Sequence, residues 1–239
     1  MEVVTNTMRE QAPPALLDAL PAGDGGRRLV VVCGQLGDFD SFEYAQALVP
    51  VLPQLEAAGF GLHAFAIGNQ AGRERFCSYT GFPIERLTVL AGNSLHQSLG
   101  LYSGLATPAG PWPNLLLMCA GIGSPGTLAE VVRGYTGDRS APSRLDWPLF
   151  NLAGSSEVLR PFELATMRLQ NMLEVLGRWR TYVPCDAYLT QRGGSFLVEA
   201  DNSLAYAHRD RGILGFSATM ARPLQFLEPF LTQPAAAIP

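Results

Sequence analysis

The run from Arg27 to Gly68, RRLVVVCGQLGDFDSFEYAQALVPVLPQLEAAGFGLHAFAIG, constrains the fold more than any other stretch, because its hydrophobic period changes twice. Leu29 to Cys33 is a short unbroken apolar run rich in valine, the pattern of a strand covered on both faces. Gly34, Gly37 and Asp38 interrupt it. From Phe39 onward Phe42, Ala45, Leu48, Val49, Leu52 and Leu55 recur at three- and four-residue steps, which predicts one helix from about Phe39 to Ala58 with Asp38 or Asp40 as its cap. Gly59 and Gly61 end it, and Leu62 to Ile67 reads as a second strand. Strand, polar turn, helix and strand in this order make a βαβ unit. Its turn lies at the carboxyl end of a parallel strand, where α/β folds place their ligands.

The rest of the chain is read around that unit. Residues 1–26 form an N-terminal arm, expected to be loosely attached, with a short apolar helix from Ala15 to Leu20. Asn69 caps a short helix that carries Arg73, Arg75, Phe76 and Cys77, Leu87 to Leu90 is a third strand, and Asn93 or Ser94 caps a brief helix. Ser195 to Glu199 and Leu204 to His208 alternate around Ala200, Asp201, Asn202 and Ser203 as a hairpin, and Thr219 to Leu231 is a closing helix limited by Pro223 and Pro229. Between the third strand and the hairpin lies a stretch far longer than the ~12–15 residues that an unstructured connection spans, so residues 106–190 are read as a mainly helical insertion. Within it TPAGPWPN is a proline-rich turn, Ser124 caps a helix with Pro125 at its first position, and the loop of Trp147 and Phe150 is exposed. Glu157 to Arg180 is a long helix with Leu164, Met167, Met172, Val175, Leu176 and Trp179 along one face. That stripe either covers the sheet or meets a partner or membrane surface; the packed reading buries Met172, Leu176 and Trp179.

Composition excludes several functions. The net charge is -4 and the cationic residues are scattered arginines with no basic block, which argues against nucleic acid. The N-terminus lacks the charged start and long apolar run of a signal peptide, and no membrane span is visible, so a cytoplasmic location is expected. Cys33, Cys77, Cys119 and Cys185 lie far apart without a C-x-x-C, which predicts reduced, buried thiols. His63, His96 and His208 show no ligand spacing, so neither a metal nor another cofactor is implied. GIGSPG at 121–126 opens a helix but lacks the lysine of a phosphate loop.

The order strand, GDFDSFEYA, long helix, second strand, and later GGSFLVEADNSLAYAHRD, together with the NSLHQSLGLYSGL segment, resembles the peroxiredoxin-like branch of the AhpC/TSA family found in cyanobacteria and plastids. The resemblance implies a thioredoxin-like fold: an α/β domain at 27–239 with a mixed central sheet flanked by helices and the helical insertion. It also implies a redox association, with a location in the plastid stroma as the alternative to the cytoplasm. Family peroxidases place a reactive cysteine in the first turn of the helix after the first strand, in a pattern like DFTxxCPTE. Asp38 and Phe39 match that pattern, Asp40 stands at the threonine and Glu43 at the cysteine. The family's thiolate-stabilising arginine corresponds to Arg192, just ahead of Gly193 and Gly194.

The candidate site is thus Asp38, Phe39, Asp40, Ser41, Glu43 and Arg192. Glu43 is expected to sit comfortably at the helix N-terminus and to pair with Arg192; the other reading makes Asp38, Asp40, Ser41 and Glu43 an acidic recognition patch. Cys33 ends the first strand beneath the turn, and Cys77 follows Arg73 and Arg75, whose guanidinium groups are expected to lower its pKa. Two functions follow from the resemblance. One is a protein-binding family member without the peroxidatic cysteine, docking a protein partner through the acidic turn and the insertion. The other is a thiol peroxidase with a relocated nucleophile, Cys77 or Cys33, reduced by a thioredoxin-type donor.

Overall fold

The structure, a computed structural model, describes residues 10–22, 25–106, 108–136 and 156–231, with the side chains of 156–163 excepted. Its centre is a five-stranded mixed sheet of β1 (Arg27–Gln35), β2 (Phe60–Ile67), β3 (Leu87–Leu90), β4 (Gly194–Val198) and β5 (Leu204–Arg209), in the order β3-β2-β1-β4-β5. β1 pairs in parallel with β2, and β2 with β3, while β1 to β4 and β4 to β5 are antiparallel. The three early strands and the closing hairpin therefore have the senses that their connections require.

Alternation along β1 explains its unbroken apolar run. Leu29, Val31 and Cys33 face one core with Phe42, Phe76 and Leu197, whereas Val30 and Val32 face a second core with Phe65, Phe196, Leu95 and Leu16. Both faces of a central strand are thus apolar because helices cover both. The first is covered by α2 (Phe39–Leu48), α3 (Leu52–Ala57) and α4 (Gln70–Thr80). The single helix expected over residues 39–58 is broken by a turn of 3₁₀ helix at Val49–Val51. Pro50 and Pro53 lack the amide hydrogens that a continuous α-helix would use there.

The second face is covered by α1 (Pro14–Ala19) and α5 (Ser94–Ser98), so attachment near the N-terminus is not loose over residues 10–20. Ala12 N donates to Asn202 O at 2.9 Å, Leu204 N donates to Glu10 O at 2.7 Å, and Leu16 is fully buried. The closing helix is also shorter than its expected span. It comprises a 3₁₀ turn at Gln225–Leu227 and α10 (Glu228–Leu231), with Pro223 ahead of it.

In the insertion the TPAGPWPN segment is not a simple turn: α6 (Pro111–Cys119) starts within it, on prolines tolerated in a first helical turn. α7 spans Thr127–Thr136, α8 spans Ser156–Gly177 and α9 spans Trp179–Tyr182. Trp147 and Phe150 lie outside the described residues. On α8 Leu164, Met167 and Val175 are buried as expected, but Met172 is only half-buried and Leu176 is 55% exposed, and Trp179, which opens α9, is also half-buried. The reason is polar: Arg168, Asn171 and Glu174 occupy the inward face. Asn171 and Gln46 exchange two amide hydrogen bonds of 3.0 Å, and Glu174 accepts from Arg75 at 2.6 and 3.0 Å and from the Tyr182 hydroxyl at 2.8 Å. Leu176→Ala is therefore expected to change stability by less than about 0.5 kcal/mol. Met167→Ala on the same helix should cost roughly 2 to 5 kcal/mol by opening a cavity. Urea denaturation of both variants, at a protein concentration below that at which copies associate, checks this, and a large loss in Leu176→Ala would refute the outward placement.

Candidate active turn

β1 ends at Gln35, the chain turns through Leu36 and Gly37, and α2 starts at Phe39 with Asp38 at its N-cap position. Beside the turn runs the segment that enters β4, and the two backbones approach as only glycines allow. A Cβ on Gly34 would lie 2.5 Å from Gln191 O, and one on Gly193 would lie 2.2 Å from Val32 O. This approach delivers Arg192, whose amide is tied to Tyr102 O at 2.7 Å, into the turn.

Arg192 is 1% exposed and bonds three elements at once. Its Nη1 donates to both oxygens of Asp38 at 3.0 and 2.9 Å, its Nη2 donates to Asp40 Oδ2, and its Nε donates to Gly212 O at 3.1 Å. Asp210, immediately after β5, lies with Oδ2 3.7 Å from Arg192 Nη2, too far for a hydrogen bond, and takes Gly212 N on Oδ1 at 3.0 Å. Leu214 N donates to Asp40 Oδ2 at 3.1 Å. Asp38 stands at the cap position but bonds no helix amide with its side chain, because Arg192 holds it.

Three carboxylates surround one guanidinium, so the cluster carries excess negative charge away from water. Burial pushes the Asp38 carboxyl well above its usual range against the pull of Arg192, with Asp40 raising it further. Burial likewise raises Asp210 to about 7, opposed by Arg192 and assisted by Asp40. Burial disfavours the charge of Arg192, yet Asp38, Asp40 and Asp210 hold its pKa above the ordinary value. Asp40 Oδ1 and Asp210 Oδ2 are buried without a hydrogen-bond donor. Asp38 and Asp210 thus hold their protons more tightly than free carboxyls do.

Glu43 does not join it. On α2 Phe42 faces α4 and α9 through Phe76 and Tyr182, and the Tyr44 hydroxyl faces Ser195 Oγ on β4 at 3.1 Å. Helical geometry then turns Glu43, which lies between them, toward α7 and α8. It is buried there and accepts from Arg168 Nε at 2.9 Å and Arg133 Nη2 at 3.4 Å. The expected Glu43–Arg192 pair is therefore replaced by two others, and the carboxylates facing Arg192 are those of Asp38 and Asp40. The acidic recognition patch fails for a similar reason: Asp40, Ser41 and Glu43 are all buried, and only Asp38 and Phe39 are partly exposed.

The cysteines divide differently from the expectation of four buried thiols. Cys33 is buried beneath the turn, and burial pushes its thiol up to about 12 although the nearby Ser41 side chain acts to lower it. His96 Nε2 donates to the Cys33 carbonyl at 2.6 Å, and burial lowers the pKa of that imidazole. Cys77 is also buried, and burial raises it to about 11 despite Arg73. Arg75 does not help, since Glu174 holds it. The predicted lowering of the Cys77 pKa is thus reversed. Cys119 and Cys185 are exposed, and Cys119, at the end of α6, feels the charges of Arg192, Asp38 and Asp40, although burial of its sulfur raises its pKa.

Two participants escaped the sequence reading, Asp210 and Cys119. For Asp210 a signal existed, because the hairpin register of Gly194 with Arg209, extended by one residue, sets Asp210 beside Gly193 and hence Arg192. For Cys119 nothing in the sequence indicated that α6 would end near the turn. The hydroxyls of Ser124 in the GIGSPG segment and of Thr127 just after it both accept from Ile213 N, at 3.0 and 2.9 Å, so they tie the insertion to the Arg192 neighbourhood instead of facing a phosphate. Among the described residues no His, Cys, Asp and Glu cluster is arranged to hold a metal ion, and no helix is long and apolar enough to cross a membrane.

A mixed five-stranded sheet with helices on both faces, and a βαβ turn met by an arginine from the closing hairpin, defines an α/β protein of thioredoxin-like fold. Residues 47–212, more than half of the chain, match the pattern of the family described as AhpC/TSA antioxidant enzyme, and the chain belongs to that family. The match begins after the turn at 38–43 and takes in Arg192 and Asp210. Neither a curated protein nor a solved structure matches the chain.

The cluster has a signature in pH. Asp210 binds its proton more tightly folded than unfolded, so its contribution is full below about pH 4 and is lost as pH rises through about 7. Asp210→Asn removes that loss. The variant should therefore gain stability relative to the native protein between about pH 4 and 7, while His96 and His208 affect both proteins alike and cancel. Urea denaturation across that range tests it, and parallel curves would show that Asp210 does not hold the proton.

Proposed function

We propose that this AhpC/TSA family member does not run thiol peroxidase chemistry at its active turn and serves a non-catalytic, protein-binding role associated with redox metabolism. One observation carries this reading: Arg192, at the position of the family's thiolate-stabilising arginine, is closed by Asp38 and Asp40. A carboxylate lacks the nucleophilicity of a thiolate toward peroxide oxygen, and two such groups leave the guanidinium no anionic site to offer. The branch found in cyanobacteria and plastids, a cytoplasmic or stromal location, and the division into an arm at 1–26 and a domain at 27–239 with an insertion at 106–190 rest on the resemblance and the sequence pattern. They belong to the same proposal.

The alternative is a relocated peroxidatic thiol, for which Cys33 has one observation in its favour, its place under the turn where Ser41 and Arg192 act to lower its pKa. In that reaction a thiolate attacks one peroxide oxygen, the O–O bond breaks, water leaves after protonation, and the cysteine becomes a sulfenic acid. A dithiol donor of thioredoxin type then reduces it, itself ending as a disulfide. The raised pKa values of Cys33 and Cys77 disfavour the first step.

Stopped-flow consumption of hydrogen peroxide with a dithiol reductant distinguishes the two readings. The native protein should react no faster than an ordinary exposed thiol, and Cys33→Ser and Cys77→Ser should leave that rate unchanged. Asp38→Cys, which puts a thiol against Arg192, should accelerate the reaction roughly tenfold or more, and Glu43→Cys should do less, because Arg168 and Arg133 surround it instead. Fast native turnover abolished in Cys33→Ser or Cys77→Ser would overturn the non-catalytic reading.

A further inference from the structure

α7 and α8 are built with their polarity inverted. Each holds charged or amide groups against the protein, through Arg133, Glu130, Arg168, Asn171 and Glu174, and each turns an apolar stripe outward. On α7 the stripe is Leu128, Val132 and Tyr135, and on α8 it is Leu169, Leu173 and Leu176, all half or more exposed. Both have the four-then-three spacing by which one helix offers a seam to another. The stripes belong to one surface. Tyr135 and Leu169 directly follow Gly134 and Arg168, where the two helices touch, and Leu128 lies against Gly121 at the end of α6, beside exposed Leu116 and Ile122.

We infer that this face is a dimer interface that pairs with the same face of a second copy of the chain. At roughly 100 Å² each, these eight side chains present about 800 Å², above the ~300–600 Å² of the largest patch on a typical monomer and equal to one partner's share of a stable interface. Two such faces related by a two-fold axis set α7 and α8 of one protomer on α7 and α8 of its partner as a four-helix layer, with leucines meeting leucines. An anionic lipid surface fits less well. Helices that lie on such membranes present arginine or lysine beside the apolar stripe, whereas the chain has no lysine and Arg133, Arg168 and Arg178 pair with carboxylates of the protein itself. The inference does not depend on whether the turn is catalytic.

Sedimentation of the full chain from about 1 to 100 µM is the test, the protomer mass being 25.7 kDa. The expected result is a dimer of twice that mass in this range. Leu173→Glu should raise its dissociation constant roughly 30-fold or more with unchanged far-UV circular dichroism. Should Leu173→Glu fail to fold, Val132→Glu makes the same demand from the other helix. A native protein that is monomeric throughout overturns the inference, as does a dimer that survives both substitutions. Monomers that co-sediment with vesicles of phosphatidylcholine and phosphatidylserine would assign the face to a lipid surface instead.

Discussion

The guanidinium of Arg192 is the point on which the end of β1, the start of α2, the entry to β4 and the segment after β5 converge. Asp38 and Asp40 bring the turn to it, and Gly212 and Asp210 bring the end of the hairpin. A buried cation costs much in desolvation and is tolerated only with its donors satisfied, which is why the guanidinium makes four hydrogen bonds in so small a space. Two consequences follow for the site. The cluster holds the turn to the hairpin through Arg192, and burial favours retention of a proton on Asp38 and Asp210.

A second set of buried charges fastens the insertion to the domain. Glu43 on α2 is held by Arg168 and Arg133, Gln46 by Asn171, and Arg75 on α4 by Glu174 with Tyr182. Pairing of this kind contributes specificity of register more than net stability, since removing one partner leaves a buried charge exposed to a low dielectric. It also decides where the hydrocarbon of α8 goes. With the inward face occupied by Arg168, Asn171 and Glu174, the leucines four and three residues apart have only the outward side left. The same bonds that attach the insertion therefore make it a surface.

Much of the architecture was legible in the chain because it follows from local periodicity. The valine run of β1, the three- and four-residue steps of α2 and the Asp201–Asn202 turn of the hairpin each specify an element within a few residues, and strand senses follow from the lengths of the connections. The breaks were less visible, as at Pro50, where a continuous apolar stripe conceals a change of helix type. Amphipathicity misled on α8: a stripe of leucines looks the same whether it meets a sheet or a partner, and what separates the cases is the pairing of the polar side, a long-range fact.

The candidate site shows the same division. That a turn rich in carboxylates follows β1, that an arginine precedes the closing hairpin, and that no cysteine stands in the first turn of α2 are matters of order along the chain and can be read from it directly. Packing alone fixes that Asp38 and Asp40 meet Arg192, that Asp210 and Cys119 come near it, and that at Cys77 burial outweighs Arg73 while Glu174 takes Arg75. The physical reason is that charge, burial and pKa depend on distances between segments as far apart as residues 38 and 192, and on solvent that other elements exclude. Spacing along one strand or helix cannot encode them.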